Sequence, residues 1–160
     1  MHAYRLPSDT NDVTLKRLQE IVDTIPPILR NFTSTEFSMK PAPGKWSKKE
    51  IIGHLIDSAT NNHHRFVRAQ FEDQPMISYQ QDHWNDHSYY QEMDSHHLIQ
   101  FWEMYNRHLI ELVSRIPKEK LENACLMSEG DAYSIAWLFD DYVRHVEHHL
   151  RQIIPLPPTP

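Results

Sequence analysis

The segment Tyr142-Val143-Arg144-His145-Val146-Glu147-His148-His149-Leu150-Arg151-Gln152-Ile153 decides the fold class, because its apolar residues recur at helical spacing. The same period extends upstream and predicts a helix from about residue 134 to 153. At least one face of this helix must lie in the core. His145 and His149 are four residues apart within the pattern, so both rings lie on one face, a single turn apart.

Two neutral imidazoles at this spacing can bind one cation, and a third ligand from another helix would complete most of a coordination shell. His54 is the natural third ligand, since it lies in a second apolar helical pattern. Helix bundles build metal sites from side chains on facing helices. Three imidazoles leave a position open for water, as in catalytic sites, whereas structural zinc sites have four protein ligands, often thiolates.

Three further segments have a helical period. The first contains Val13, Leu15, Leu18, Ile21, Val22 and Ile25, after which Pro26-Pro27 is expected to end or kink the helix. The second begins at Ser47-Lys48-Lys49-Glu50, which matches a capping box, and extends to about Phe71. The third starts at Asp94 or Ser95 and ends before Pro117.

The connections complete the fold prediction. Residues 72–93 lack a sustained period and predict a long loop between the second and third helices, which could line a site. Residues 152–160 are proline-rich and predict an extended tail. No strand pattern is convincing. The sequence therefore predicts an all-α, antiparallel four-helix bundle in a single domain spanning residues 1–160, whose topology need not be simple up-and-down.

Gly53 lies in the middle of the second helix, next to His54. Glycine costs a helix interior about 1 kcal/mol relative to alanine. We therefore expect that a neighbouring group packs too closely at this position to leave room for a side chain.

Composition excludes several classes of protein. The formal net charge is −6, which disfavours binding to nucleic acid phosphates. No apolar run approaches the length of a membrane span, and no leader is evident, so a cytoplasmic protein without a membrane partner is expected. Cys125 is the single cysteine, and the simplest interpretation is a small buried side chain.

Several motifs together resemble the DinB/YfiT-like family. They are Trp46-Ser47-Lys48-Lys49-Glu50-Ile51-Ile52-Gly53-His54-Leu55-Ile56-Asp57 followed by Arg65, then Gln81-Asp82-His83-Trp84, and finally the segment from Asp141 to Ile153. Each motif is short, but their order and spacing are fairly specific and cover nearly the whole chain.

The resemblance implies a four-helix bundle, often a homodimer, with a divalent metal ion bound by His54, His145 and His149. It further implies zinc or nickel most often, and an enzyme of the type that acts on a small-molecule substrate as a thiol-dependent transferase, an isomerase or a hydrolase. A low-molecular-weight thiol is then a candidate cofactor.

Some site assignments remain open. Ligation by His145 and His148, three residues apart, is an alternative to the His145 and His149 pair. Asp57 and Asp141 could each accept a hydrogen bond from a ring N–H of a ligand histidine. The alternative is that each is a solvated or ion-paired carboxylate without a role in the site. Asp57, Asp82 or a loop histidine could act as the general base.

Functional alternatives also remain open. Arg65 and Arg68 could bind an anionic substrate, although such residues on a helix more often pair with acidic side chains. The leading hypothesis is a metal-dependent transferase or hydrolase that activates water or a thiol. The alternatives are a non-catalytic, dimeric metal-binding protein related to stress, and a bundle whose histidines are only core or surface groups.

Overall fold

The computed structural model describes residues 10–156. Its helices are α1 (Thr10–Leu29), α2 (Ser34–Ser38), α3 (Lys48–Arg68), α4 (Gln81–Ser88), α5 (Ser95–Ser114) and α6 (Ile135–Leu150), and a hairpin of β1 (Ala124–Ser128) and β2 (Asp131–Ser134) precedes α6. Single 3₁₀ turns occur at Tyr90–Glu92 and Lys118–Lys120. The four long helices α1, α3, α5 and α6 form the predicted bundle.

The arrangement of the long helices differs from simple up-and-down order. Helix α3 packs against α5 and α6, and α1 packs against the same two helices. Consecutive long helices α1 and α3 therefore lie diagonally across the bundle. This places α3 beside α6, which brings His54 towards His145 and His149.

Large apolar side chains from all four long helices fill the centre of the bundle. The largest fully buried ones include Trp102, Tyr142, Phe66, Phe139, Leu18 and Leu55. Each such side chain contributes about 1.5 to 3 kcal/mol by leaving water. The site described below is therefore held on a rigid framework.

Helix starts agree with the capping residues in the sequence. Ser47 and Glu50 form the predicted capping box, with a Ser47 amide to Glu50 carboxylate distance of 2.7 Å and a Glu50 amide to Ser47 hydroxyl distance of 3.1 Å. Asp94 accepts from the His97 amide at 2.9 Å, and Ser134 accepts from the Trp137 amide at 3.2 Å. These contacts satisfy N–H groups that have no partner within the helix.

The prediction that the Pro26-Pro27 pair ends the first helix is wrong, because α1 continues to Leu29. Pro26 has no N–H to donate to the Val22 carbonyl. Arg107 on α5 supplies the missing donor, since its Nη2 lies 3.1 Å from the Val22 oxygen. A tertiary contact thus compensates for the proline.

The connection between the second and third long helices is more ordered than predicted. Residues 81–88 form α4, and Tyr90–Glu92 form a 3₁₀ turn. Helix α4 packs on α3, where Asn85 donates to the Glu50 carbonyl at 2.9 Å. Tertiary packing, rather than an apolar period, stabilises this short helix.

The prediction that the chain has no strands is also wrong. Strands β1 and β2 pair antiparallel, and Ile77 extends the ladder by donating to the Leu126 carbonyl at 2.9 Å. Cys125 is buried, as expected, and its thiol donates to the Pro75 carbonyl at 3.0 Å. The hairpin therefore fixes the chain around residues 75–77 against the end of α3.

Two observations bear on the remaining predictions. Residues 151–154 turn after α6 and residues 155–156 are irregular, while 157–160 of the predicted tail lie outside the described residues. Over residues 10–156, no helix combines the length and hydropathy needed to span a bilayer.

Candidate metal centre

Three histidines from two helices converge at the interface of α3 and α6. One ring nitrogen from each of His54, His145 and His149 lies within 4.8 Å of the other two. The Nε2 atoms of His54 and His145 are 3.0 Å apart, and the His149 ring centroid is 4.5 Å from both other rings. The helical spacing on α6 and the diagonal placement of α1 and α3 produce this convergence.

The environment keeps these imidazoles neutral. Burial, followed by the neighbouring charges of His145 and His149, lowers the pKa of His54 to about 3. Burial, followed by the charges of His149, His148 and Arg65, lowers the pKa of His145 to about 4. Burial and the charge of His148 also lower the pKa of His149. Neutral imidazoles carry the lone pairs that metal ligation requires.

The donor set fits a divalent metal ion. Around a tetrahedral ion with bonds of about 2.0 to 2.1 Å, two ligand nitrogens are about 3.3 Å apart, close to the 3.0 Å between His54 and His145. Among the described residues, Nδ1 of His149 is also buried without a hydrogen-bond partner, whereas the partnerless Nδ1 of His54 is on the other side of its ring from the Nε2 contact. Buried nitrogens of this kind are costly unless another group satisfies them.

Other histidines lie outside this cluster. His148 is exposed on α6, so the geometry favours the His145 and His149 pair over the His145 and His148 alternative. His63 lies 3.0 Å from the Tyr105 hydroxyl and packs edge-on against His108.

Asp57 is buried one turn after His54 and binds a tyrosine instead of a histidine. The Tyr90 hydroxyl donates to Oδ1 of Asp57 through a short hydrogen bond, and Oδ2 has no partner among residues 10–156. Burial raises the pKa of Asp57 to about 6, although the Tyr90 hydrogen bond opposes the rise. The Tyr90 ring also packs against Gly53, which confirms the crowding expected there.

A cavity of about 810 Å³ opens beside His149. Its walls come from the loop before α3, from α4 and from the end of α6, and they include Trp46, Lys45, Asp82, Asp86 and Gln152. The Trp46 ring packs against His54 at a tilt of 36°, with centroids 4.9 Å apart. Asp82, a candidate base, faces this cavity, and Gln152 lies beside His149 on its wall.

A second cavity of about 300 Å³ opens beside His145 and shares no lining residue with the first. Arg65, Tyr79, Ser58 and Asp141 contribute to its walls. The Ser58 hydroxyl lies 3.3 Å from Nδ1 of His145, so serine occupies the position predicted for Asp141. Asp141 pairs with Arg144 at 3.4 Å.

Sequence reasoning missed Ser58, Trp46 and Tyr79 as site residues. Ser58 lies four residues after His54, so helical spacing alone could have placed it near the cluster. Trp46 and Tyr79 lie in irregular segments, where no sequence period predicts orientation. Trp84 and Tyr89 are exposed, whereas Tyr90 anchors its turn to α3.

Comparison with protein families gives a match to the DinB superfamily over residues 14–153. A protein of Oceanobacillus iheyensis, named as a candidate metal-dependent hydrolase, is 22% identical over 143 residues, which are 87% of this chain and 80% of the relative. The family model covers α3, α5, α6, all but the first four residues of α1, and the three histidines.

Solved structures share the fold at low identity. YfiT from Bacillus subtilis, described as a probable metal-dependent hydrolase with an unusual four-helix bundle topology, aligns with a TM-score of 0.85 at 17% identity, over 96% of this chain and 89% of that one. A mycothiol-dependent maleylpyruvate isomerase aligns with a TM-score of 0.72 at 15% identity, over 94% of this chain and 62% of that one. At these identities the structures show the fold alone.

Proposed function

This chain belongs to the DinB superfamily, and from that premise we propose that it is a metal-dependent enzyme whose metal ligands are His54, His145 and His149. The convergence of three neutral imidazoles, with nitrogens within 4.8 Å of one another, carries the proposal. A divalent ion held by three imidazoles supplies Lewis acidity, which makes water or a thiol nucleophilic at neutral pH.

The protein's own groups divide the remaining work. The Ser58 hydroxyl lies within hydrogen-bond distance of Nδ1 of His145, so this ligand ring is held in orientation. Gln152 lies beside His149 on the wall of the larger cavity. Asp82 faces the larger cavity and is the candidate to accept a proton from a nucleophile there. Trp46 covers His54 and excludes water from that side.

Hydrolysis is the first candidate reaction, since it needs only water beside the metal. Thiol-dependent transfer is the second, and the size of the cavity at His149 favours it. A cavity of about 810 Å³ is within the range that accommodates a cofactor or drug-sized ligand. Lys45 and Asp82 on its walls offer charges of both signs to a polar thiol.

Further features belong to the same proposal. We propose zinc or nickel as the ion, a homodimer in the cytoplasm, a single domain over the whole chain, and no role for nucleic acid. Imidazole ligands suit both metals, and the net charge of −6 agrees with the last point. The alternative is a non-catalytic metal-binding dimer with a role in stress.

Metal analysis tests the ligand set. Wild-type protein is incubated with zinc or nickel, dialysed without chelator and measured by elemental analysis beside the three variants His54→Ala, His145→Ala and His149→Ala. Near-stoichiometric metal in wild type and little in each variant supports the proposal. His148→Ala is the matched control, since this neighbour on α6 is exposed. Metal absent from wild type, or retained by the three variants, contradicts it.

Turnover separates the enzyme from a metal-binding protein without activity. Metal-loaded and chelator-treated protein are compared on activated esters, and on electrophiles with and without low-molecular-weight thiols. Metal-dependent hydrolysis supports the first candidate, and metal-dependent thiol conjugation supports the second. Full metal occupancy without either reaction favours the non-catalytic alternative.

A further inference from the structure

We propose that the cavity beside His145 is a subsite for the carboxylate group of a small organic acid, and that the Arg65 guanidinium is its anchor. The proposal deepens the proposed function, on which it rests for the chemistry, because it assigns the substrate class of the same site. Three observations support it: the burial of Arg65 without an ion pair, the other polar groups in the cavity, and the position of the cavity relative to the histidines.

Arg65 is a buried cation without a buried anion. Only 5% of the residue is exposed, yet over residues 10–156 it makes no ion pair. Its Nε and Nη2 donate to the Ile77 carbonyl at 3.2 and 3.0 Å, and Nη1 donates to Asn62 Oδ1 at 3.3 Å. All these acceptors are neutral. A buried charge is costly unless an opposite charge compensates it.

The comparison with Arg68, on the same helix, shows that this state is specific to position 65. Arg68 is more exposed and forms a two-point contact with Glu72 at 2.7 and 2.8 Å. Arg65 has five N–H donors, of which the neutral acceptors take three. The remaining N–H groups, one on Nη1 and one on Nη2, are the donors left for a carboxylate.

The other polar groups of the cavity complement an anion. Tyr79 and Ser58 bring hydroxyl groups to its wall, and each hydroxyl can donate a hydrogen bond to an oxygen anion. Asp141 is the one acidic residue on the wall, and it is partly exposed and paired with Arg144 at 3.4 Å. The guanidinium is therefore the buried charge of the cavity, and the carboxylate of Asp141 is the partly exposed one.

Position connects the subsite to the reaction. His145 lines this cavity and His149 lines the larger one, so the histidine cluster lies between two separate spaces. An acid held by Arg65 places its adjoining carbon atoms beside His145. At about 300 Å³, the cavity matches an acid of a few carbon atoms, while the larger cavity is left for the thiol or the remainder of the substrate.

Calorimetric titration of the full chain, after chelator treatment, tests the subsite without requiring a metal or activity. The probes are acetate and succinate, each compared with its neutral amide at constant ionic strength. We expect the acids to bind wild type at least about tenfold more tightly than the amides, because a charge-assisted pair is lost in the amide. Equal binding of acid and amide, or no binding of either acid, overturns the proposal.

Variants locate the anchor. Arg65→Lys keeps the charge but loses the two-point geometry, and we expect about tenfold weaker binding of the acids. Tyr79→Phe leaves the contact between Arg65 and Ile77 intact and serves if Arg65→Lys does not fold, with binding weakened several-fold. Asp141→Asn removes the opposing charge and strengthens binding. Arg68→Gln is the matched control and binds as wild type.

The outcomes separate this inference from the proposed function. If acid binding depends on Arg65 but the protein fails to retain zinc or nickel in the metal analysis, the subsite is supported and the metalloenzyme is contradicted. If the protein retains metal but its acid binding is unaffected by changes at Arg65, Tyr79 and Asp141, the metal site is supported and the subsite is contradicted. Acid binding that requires added zinc or nickel and is unchanged in Arg65→Lys overturns the subsite, because the metal is then the anchor.

Discussion

The Tyr90 ring occupies the space that a side chain on Gly53 would need. A Cβ atom at position 53 would lie 2.1 Å from Cδ2 and 2.3 Å from Cγ of Tyr90, well inside van der Waals contact. The Tyr90 hydroxyl then reaches Asp57, one turn further along α3. Tyr90 thus holds the turn Tyr90–Glu92 against the part of α3 that carries His54.

Gly53→Ala is expected to destabilise the protein, although alanine is the better helix former. Helix propensity favours the substitution by about 1 kcal/mol, but overpacking against a buried ring costs about 1 to 3 kcal/mol. Ring and backbone are both fixed, so the steric cost should exceed the gain. Urea unfolding of the metal-free protein measures the difference.

The same substitution in a Tyr90→Ala background is the control. With the ring removed, Gly53→Ala should be neutral or stabilising by up to about 1 kcal/mol. A loss of stability that is equal in both backgrounds would show that Tyr90 is not the cause.

Gly53 also shows what the sequence could predict of the fold. A glycine inside a strong helical period indicates close packing, but its partner, Tyr90, lies in a segment without a period. Local capping chemistry sets the helix starts at Ser47, Asp94 and Ser134, so the sequence alone predicts them. The hairpin and α4 depend on non-local contacts, such as the hydrogen bond from Asn85 to the Glu50 carbonyl, so the sequence pattern did not predict them.

The candidate site also has residues that the sequence predicts and residues that it does not. Helical spacing pairs His145 with His149, and an apolar second helix presents His54, so these three residues could be identified before the fold. Their role as metal ligands stays a prediction. Arg65 was visible as a cation, but its burial without an acid depends on the Ile77 carbonyl, which the hairpin puts in place.

Metal-free protein should lose stability as the pH falls from about 7 to 4. Burial lowers the pKa of His54 to about 3 and that of His145 to about 4, below the ordinary value of about 6.5. In this window the unfolded chain binds protons that the folded chain does not. Each such histidine therefore contributes up to about 1.4 kcal/mol of lost stability per pH unit, which urea unfolding at several pH values measures.

Asp57 acts in the opposite direction. Its pKa is raised from 3.8 to about 6 by burial, so between these values the folded protein binds the proton that the unfolded chain releases. Its contribution is present below pH 3.8 and is lost as the pH rises through about 6. Asp57→Asn should therefore steepen the pH dependence by up to about 1.4 kcal/mol per unit, whereas His54→Asn should flatten it. A slope unchanged in both variants would contradict these assignments.

A buried ion pair joins α1 to α6 on the side of α6 away from the histidines. Arg17 Nε and Nη2 both lie 2.6 Å from Oε1 of Glu147, and their side chains are 12% and 5% exposed. Arg17→Met should cost about 3 kcal/mol or more, because it leaves a buried carboxylate without its partner. The double variant Arg17→Met with Glu147→Leu should recover most of the loss, and denaturant unfolding checks both values.

An exposed pair provides the control for that prediction. Arg144 and Asp141 lie 3.4 Å apart with side chains 61% and 44% exposed. Arg144→Met should change stability by less than about 1 kcal/mol. A comparable loss from Arg17→Met and Arg144→Met would mean that burial of the Glu147 pair does not decide its contribution.

Arg107 should matter most where Pro26 removes a helix donor. Its Nη2 donates to the Val22 carbonyl at 3.1 Å, and Arg107→Met leaves that oxygen without a partner, at a cost of about 1 to 3 kcal/mol. In a Pro26→Ala background, the new backbone amide at position 26 can donate to the same oxygen. Loss of the ion pairs with Asp23 and Glu103 is common to both backgrounds. The cost of Arg107→Met should therefore fall by about 1 kcal/mol in Pro26→Ala, measured as a double-mutant cycle in urea. A coupling near zero would mean that Arg107 acts through those surface ion pairs alone.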